Sequence, residues 1–117
     1  MNCGIRVRLY AMPDALKQDI ARMCELWNEG LSRFGGPFLA GEKFTAADAF
    51  FAPVAFREQT YGLSFDATAA AYAQSLRNLP SMREWYAVGL AETFRDHEHD
   101  EEGFKAGVVT EDLRAKA

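Results

Sequence analysis

No apolar run in this 117-residue chain approaches the roughly 20 residues that a bilayer-crossing helix needs, so no membrane partner is expected. The opening MNCGIRVRLYAM carries two arginines but no apolar block after them, which excludes a secretory signal and makes a cytoplasmic location the expectation. Cysteine is scarce. Cys3 and Cys24 form no CxxC pair and are too few for a disulfide framework or a cysteine-based zinc site. Cys24 falls inside a helical pattern and is expected partly buried, whereas Cys3 is expected exposed near the terminus. A basic excess is also missing. The formal charge is −4, with 9 Lys+Arg against 10 Asp+Glu in the first 94 residues and 4 against 7 in the last 23. No basic face is left for a phosphate backbone, so no nucleic-acid partner is expected. Alternating apolar and polar residues are absent, so no sheet is expected, and no glycine-rich phosphate loop can follow a strand. The serines sit in no nucleophile-elbow context. His97 and His99 are the only histidines; two positions apart, they project from different faces of a helix, so no metal site is expected.

What is present is helical. Apolar residues make up 49 %, enough for a core without covalent staples. A first helix is predicted from Pro13, with Leu16, Ile20, Met23, Trp27, Leu31 and Phe34 forming one apolar stripe and Gly35-Gly36-Pro37 ending it. Phe38 and Leu39 are expected to tuck back into the core. Thr45-Ala46-Ala47-Asp48 reads as a capping box: the Thr45 hydroxyl accepts from the Asp48 N–H while the Asp48 carboxylate reaches back to the Thr45 N–H. The helix it opens is apolar on every side as far as Phe56, which predicts an interior rod, kinked at Pro53, with Phe50, Phe51 and Val54 out of water. Gly62 ends it. Asp66 is predicted to cap a third helix to Asn78, rich in small residues that permit close helix approach. Pro80 is predicted to open a fourth, with Met82, Trp85, Tyr86, Gly89, Leu90 and Phe94 inward. The fold class predicted is therefore all-α, a helical bundle around a buried central helix over residues 1–94. Residues 95–117 are expected to be a charged, solvated tail, with a short extended piece at Val108–Thr110 and a brief helix near its end.

Arg57 and Tyr61 are the substrate-pocket candidates. They stand one turn apart where the apolar helix regains polarity, and a cation there either caps the helix C-terminus or faces a cleft. Thr45 and Asp48 are structural capping residues. No residue qualifies as catalytic, cofactor-binding or metal-ligating.

Phe38-Leu39, Gly41, Phe44, Thr45, Ala47 and Asp48, with the downstream Leu79-Pro80-Ser81-Met82 and Trp85, resemble the C-terminal all-helical domain of glutathione S-transferases. Pro53 is similar to a proline of bacterial and zeta-like members. The resemblance implies a buried helix introduced by the capping box, and a domain that contributes one wall of a hydrophobic electrophile pocket and part of a dimer contact. It implies glutathione as the cosubstrate of the intact enzyme, bound and activated by an N-terminal thioredoxin-like domain that does not precede residue 13 here. This chain alone is therefore expected to be inactive, with no cofactor of its own and with that missing domain and a second copy as its partners. Zeta-like members place a basic residue near the end of this helix; the matching position is Thr60, so that role does not transfer. A non-catalytic protein-interaction module of the same fold is the alternative the resemblance leaves open.

Overall fold

The computed structural model describes residues 2–116. In chain order the elements are β1 (Ile5–Leu9), α1 (Asp14–Phe34), α2 (Ala46–Tyr61), α3 (Ala67–Asn78), α4 (Pro80–Ala91), α5 (His97–Ala106) and β2 (Gly107–Asp112). The helix ends fall where local chemistry puts them. Gly35 caps α1 in the left-handed region at φ 84°, and Gly62 does the same for α2 at φ 57°, its N–H donating to the Glu58 carbonyl. Asp66 caps α3 by accepting the Ala69 N–H at 2.9 Å, and Pro80 occupies the first turn of α4.

The core forms where α1, α2 and α3 meet. Trp27 is completely buried and meets Tyr72, Phe65 and Phe51 edge-on, with ring centroids 4.9, 5.4 and 5.9 Å apart. Ala55, Ala69 and Ala73 are also completely buried, so the alanines do bring α2 and α3 close together. Leu39 folds back into this core as its sequence context predicts. It can do so because α1 has Gly30 beside it: a Cβ at Gly30 would stand 2.8 Å from the Leu39 carbonyl oxygen. Arg77 of α3 ties the bundle to α2, donating to the Ala55 carbonyl at 2.7 Å and pairing with Glu58. This explains a carboxylate at the exit of an otherwise apolar helix.

Five expectations are corrected. First, the fold is not purely helical. β1 and β2 pair antiparallel, Ile5 opposite Asp112 and Leu9 opposite Gly107, with an irregularity between Arg6 and Val7. Second, the acidic segment after residue 94 is ordered. It supplies α5 and β2, and Asp100 is buried in an ion pair with Arg114 at 2.6 Å. The extended piece at Val108–Thr110 is real, but no helix follows it among the described residues. Third, α2 is not enclosed all round. β1 and α3 cover one side, burying Ala52, Ala55, Phe56 and Thr60, with Phe51 and Val54 half-buried; Phe50 is 82 % exposed, and Pro53 and Arg57 share its open side. An apolar composition gives a helix the capacity to be covered, but which side is covered depends on what packs there. Fourth, α4 buries no residue fully, and Trp85, Gly89 and Phe94 face outward. Cys3 is likewise buried rather than exposed, because β1 carries it into the interior beside Ile5.

Candidate functional site

Asp48 organises the bundle. It is completely buried, and four donors converge on it. The Leu39 N–H and the Tyr72 hydroxyl donate to Oδ1 at 3.0 and 2.7 Å; the Thr45 N–H and, more weakly, the Thr45 hydroxyl donate to Oδ2 at 2.9 and 3.3 Å. One carboxylate thus caps α2, fixes the loop before it and anchors α3. Burial by itself would raise its pKa, but the bonds from Tyr72, Leu39 and Thr45 outweigh that and hold it below the usual carboxylate range. The Tyr72 hydroxyl responds in the opposite sense: burial and the carboxylate beside it push its pKa up. Asp48 is a folding device, since no solvent or ligand can reach it.

A groove of about 350 Å³ runs along α1 and α2. Leu16, Ile20 and Met23 of α1, Val54 of α2 and Phe65 give it apolar walls, and the charged Asp19, Arg22 and Arg57 line it as well. Among the described residues no carboxylate pairs with Arg57, and no hydroxyl or thiol side chain lines the groove. Tyr61 does not line it. It is half-buried, with its hydroxyl oxygen 3.7 Å from where a Cβ at Gly103 of α5 would stand, and burial raises its pKa. Thr60 is buried and has no access to a ligand. Arg57 thus lines the groove while Tyr61 lies against α5, with the Arg57 charge partly opposing the rise in the Tyr61 pKa.

A second cavity, of about 490 Å³, lies between the C-terminal half of α4, the N-terminal segment and α5. Trp85, Val88 and Phe94 form an apolar wall, while His99, Asp100 and Arg114 stand among its polar residues. The His99 Nδ1 is 2.7 Å from Asp96 Oδ2, and bonds from the His99 side chain and backbone hold the Asp96 pKa low. Cys3 borders the same cavity, and burial pushes its thiol pKa up. Nothing in the sequence reading pointed to this cavity. The one usable signal was Asp96 three residues before His99, the spacing of an N-cap, which does cap α5.

The molecule is thus a mostly helical domain organised by a carboxylate-capped helix. A family model described as "Glutathione S-transferase, C-terminal domain" matches residues 14–88, which span α1 to α3 and most of α4. The match covers more than half of the chain, and the chain belongs to that family. No curated protein and no solved structure matches it. No helix among the described residues is long and apolar enough to cross a membrane.

Proposed function

We propose that this chain is the helical part of a glutathione-conjugating or isomerising protein, in which the α1–α2 groove forms one wall of a hydrophobic electrophile pocket. The observation that carries this reading is the groove itself, with mostly apolar walls and with Asp19, Arg22 and Arg57 as its charged residues, of which Arg57 forms no ion pair among the described residues. Apolar walls with a few polar groups are what small-molecule sites use to bind and orient a ligand. In this reading Arg57 meets an anionic group on the electrophile or its conjugate. Glutathione is the cosubstrate, and its thiol is activated by a thioredoxin-like domain, because the groove offers no hydroxyl or thiol to do so. The open side of α2, with Phe50 at its centre, serves as a dimer contact with a second copy.

The test is direct. The 117-residue chain, given glutathione and a chlorinated dinitrobenzene, should show no turnover above the uncatalysed rate, and it should pass through immobilised glutathione without retention. Turnover by this chain would overturn the assignment of thiol activation to another domain.

A further inference from the structure

The cavity between α4 and α5 shares no residue with the α1–α2 groove, and much of its wall lies outside residues 14–88. Its apolar side is unusual for a surface helix. Trp85 is 54 %, Val88 67 % and Phe94 73 % exposed, so three large apolar side chains present surface to water around one opening, the Trp85 ring resting its other side on Phe56 at 5.1 Å between centroids. Between Trp85 and Phe94 lies Gly89, one helical turn after Trp85 and on the same face. A glycine inside a helix costs about 0.5–1 kcal/mol relative to alanine. Nothing in the fold requires one here: its φ is not in the left-handed region, and a Cβ would meet no atom within 4 Å. The effect of Gly89 is a flat patch of helix backbone set between an indole and a phenyl ring, open to the cavity.

The polar side is held in place before any ligand arrives. Asp100 accepts from Asn2 at 2.8 Å and from Arg114 at 2.6 Å, and Arg114 is itself held by two bonds to Asp112. The Arg95 guanidinium is tied to the carbonyls of Glu92, Phe94 and Ala115. These groups already have protein partners. His99 differs. Its Nδ1 is committed to Asp96, which in the neutral ring places the proton on Nδ1 and leaves Nε2 as an acceptor, with no protein partner among the described residues. The volume of the cavity lies within the range of small-molecule sites.

We propose that this cavity binds a planar aromatic molecule bearing a hydroxyl group, with its ring on the Gly89 shelf between Trp85 and Phe94 and its O–H donated to His99 Nε2. The ring covers apolar surface that is otherwise in water. The hydroxyl supplies a donor for His99 Nε2, an acceptor with no protein partner among the described residues. A carboxylate ligand fits less well, because the carboxylates of Asp96 and Asp100 already occupy that wall.

Fluorine NMR with two probes tests this on the whole chain. Para-fluorophenol carries the donor, and para-fluoroanisole has the same ring with the donor methylated. The phenol should bind about tenfold more tightly than the ether, the ratio expected for one hydrogen bond to an otherwise unfilled acceptor. His99→Ala should bring the two affinities together. Gly89→Leu should abolish binding of both by filling the shelf. It adds a good helix former at a position with open space, so the fold should be retained, with unchanged far-UV circular dichroism as the check. The proposal is overturned if the phenol shows no binding at millimolar concentration, if phenol and ether bind equally, or if Gly89→Leu leaves binding intact. None of these results depends on glutathione turnover, so the proposed function can fail while this site stands, and the reverse.

Discussion

Replacing Asp48 with asparagine exchanges one oxygen for an NH₂ group and should destabilise the protein more than any surface substitution. Each carboxylate oxygen accepts two bonds in a completely buried site. The amide of asparagine must turn its NH₂ towards one of those pairs. Turned towards Oδ1, it faces the Leu39 N–H; turned towards Oδ2, it faces the Thr45 N–H. A hydroxyl can rotate and accept, but a backbone N–H cannot, so either orientation strands one buried donor. That costs about 1–3 kcal/mol, and the surviving bonds lose their charge assistance, which brings the total to about 3 kcal/mol. Tyr72→Phe, which removes one bond to the carboxylate, should cost about 2 kcal/mol by the same reasoning. Thr45→Ala, which removes the long 3.3 Å contact and the bond that the Thr45 hydroxyl accepts from the Asp48 N–H, should cost about 1 kcal/mol. Urea unfolding followed by Trp27 fluorescence reads all three, because Trp27 packs edge-on against Tyr72. The difference should also depend on pH. The pKa of Asp48 is depressed in the folded state, so its contribution is fully present above the unfolded carboxylate value of about 3.9 and is lost as pH falls through the folded value. Wild type and Asp48→Asn should therefore converge in acid. An asparagine variant within about 1 kcal/mol of wild type at neutral pH, or a gap that persists in acid, would refute the account of Asp48 as the organising residue.

Gly107→Ala should separate the two strands. The backbone φ of −177° suits any residue, but a Cβ would stand 2.1 Å from the Arg8 carbonyl oxygen; the cost should exceed about 2 kcal/mol and appear as faster hydrogen exchange at the β1 amides. Arg77→Met leaves Glu58 without its ion pair at the α2–α3 contact and should cost about 2–3 kcal/mol in urea unfolding, whereas a surface pair such as Lys105–Glu101 should cost almost nothing to break. Phe50→Ser should leave the unfolding midpoint unchanged and weaken self-association in sedimentation velocity at tens of micromolar, because Phe50 contributes exposed surface and no core. A strictly monomeric wild type at that concentration would remove the proposed dimer contact.

The glycine, proline, aspartate and threonine signals at helix ends act over one to four residues, so they could be read along the chain. The starts of α2, α3 and α4 and the stops of α1 and α2 therefore lay open to inspection, as did the aromatic stripe that delivers Trp27 to the core. Half of the role of Asp48 was also local, in its bond to Thr45. The bonds to Leu39 and Tyr72 were not, because no spacing rule announces a contact 24 residues away. Composition also misled where burial was concerned. The apolar residues of α2 and α4 were assigned inward because they are apolar, but the neighbours available cover only part of each helix.

What the amino-acid order determined unaided is the first four helices and most of their ends, because capping, backbone conformation and the 3.6-residue period are short-range physics. Folding in three dimensions decided the rest. It paired β1 with β2 across the whole length of the chain, buried Cys3 and Asp100, and left Phe50 and Trp85 in water. It also closed a cavity between segments that are distant in sequence. Those outcomes depend on which surfaces meet, and the free energy of a surface is set by what lies against it.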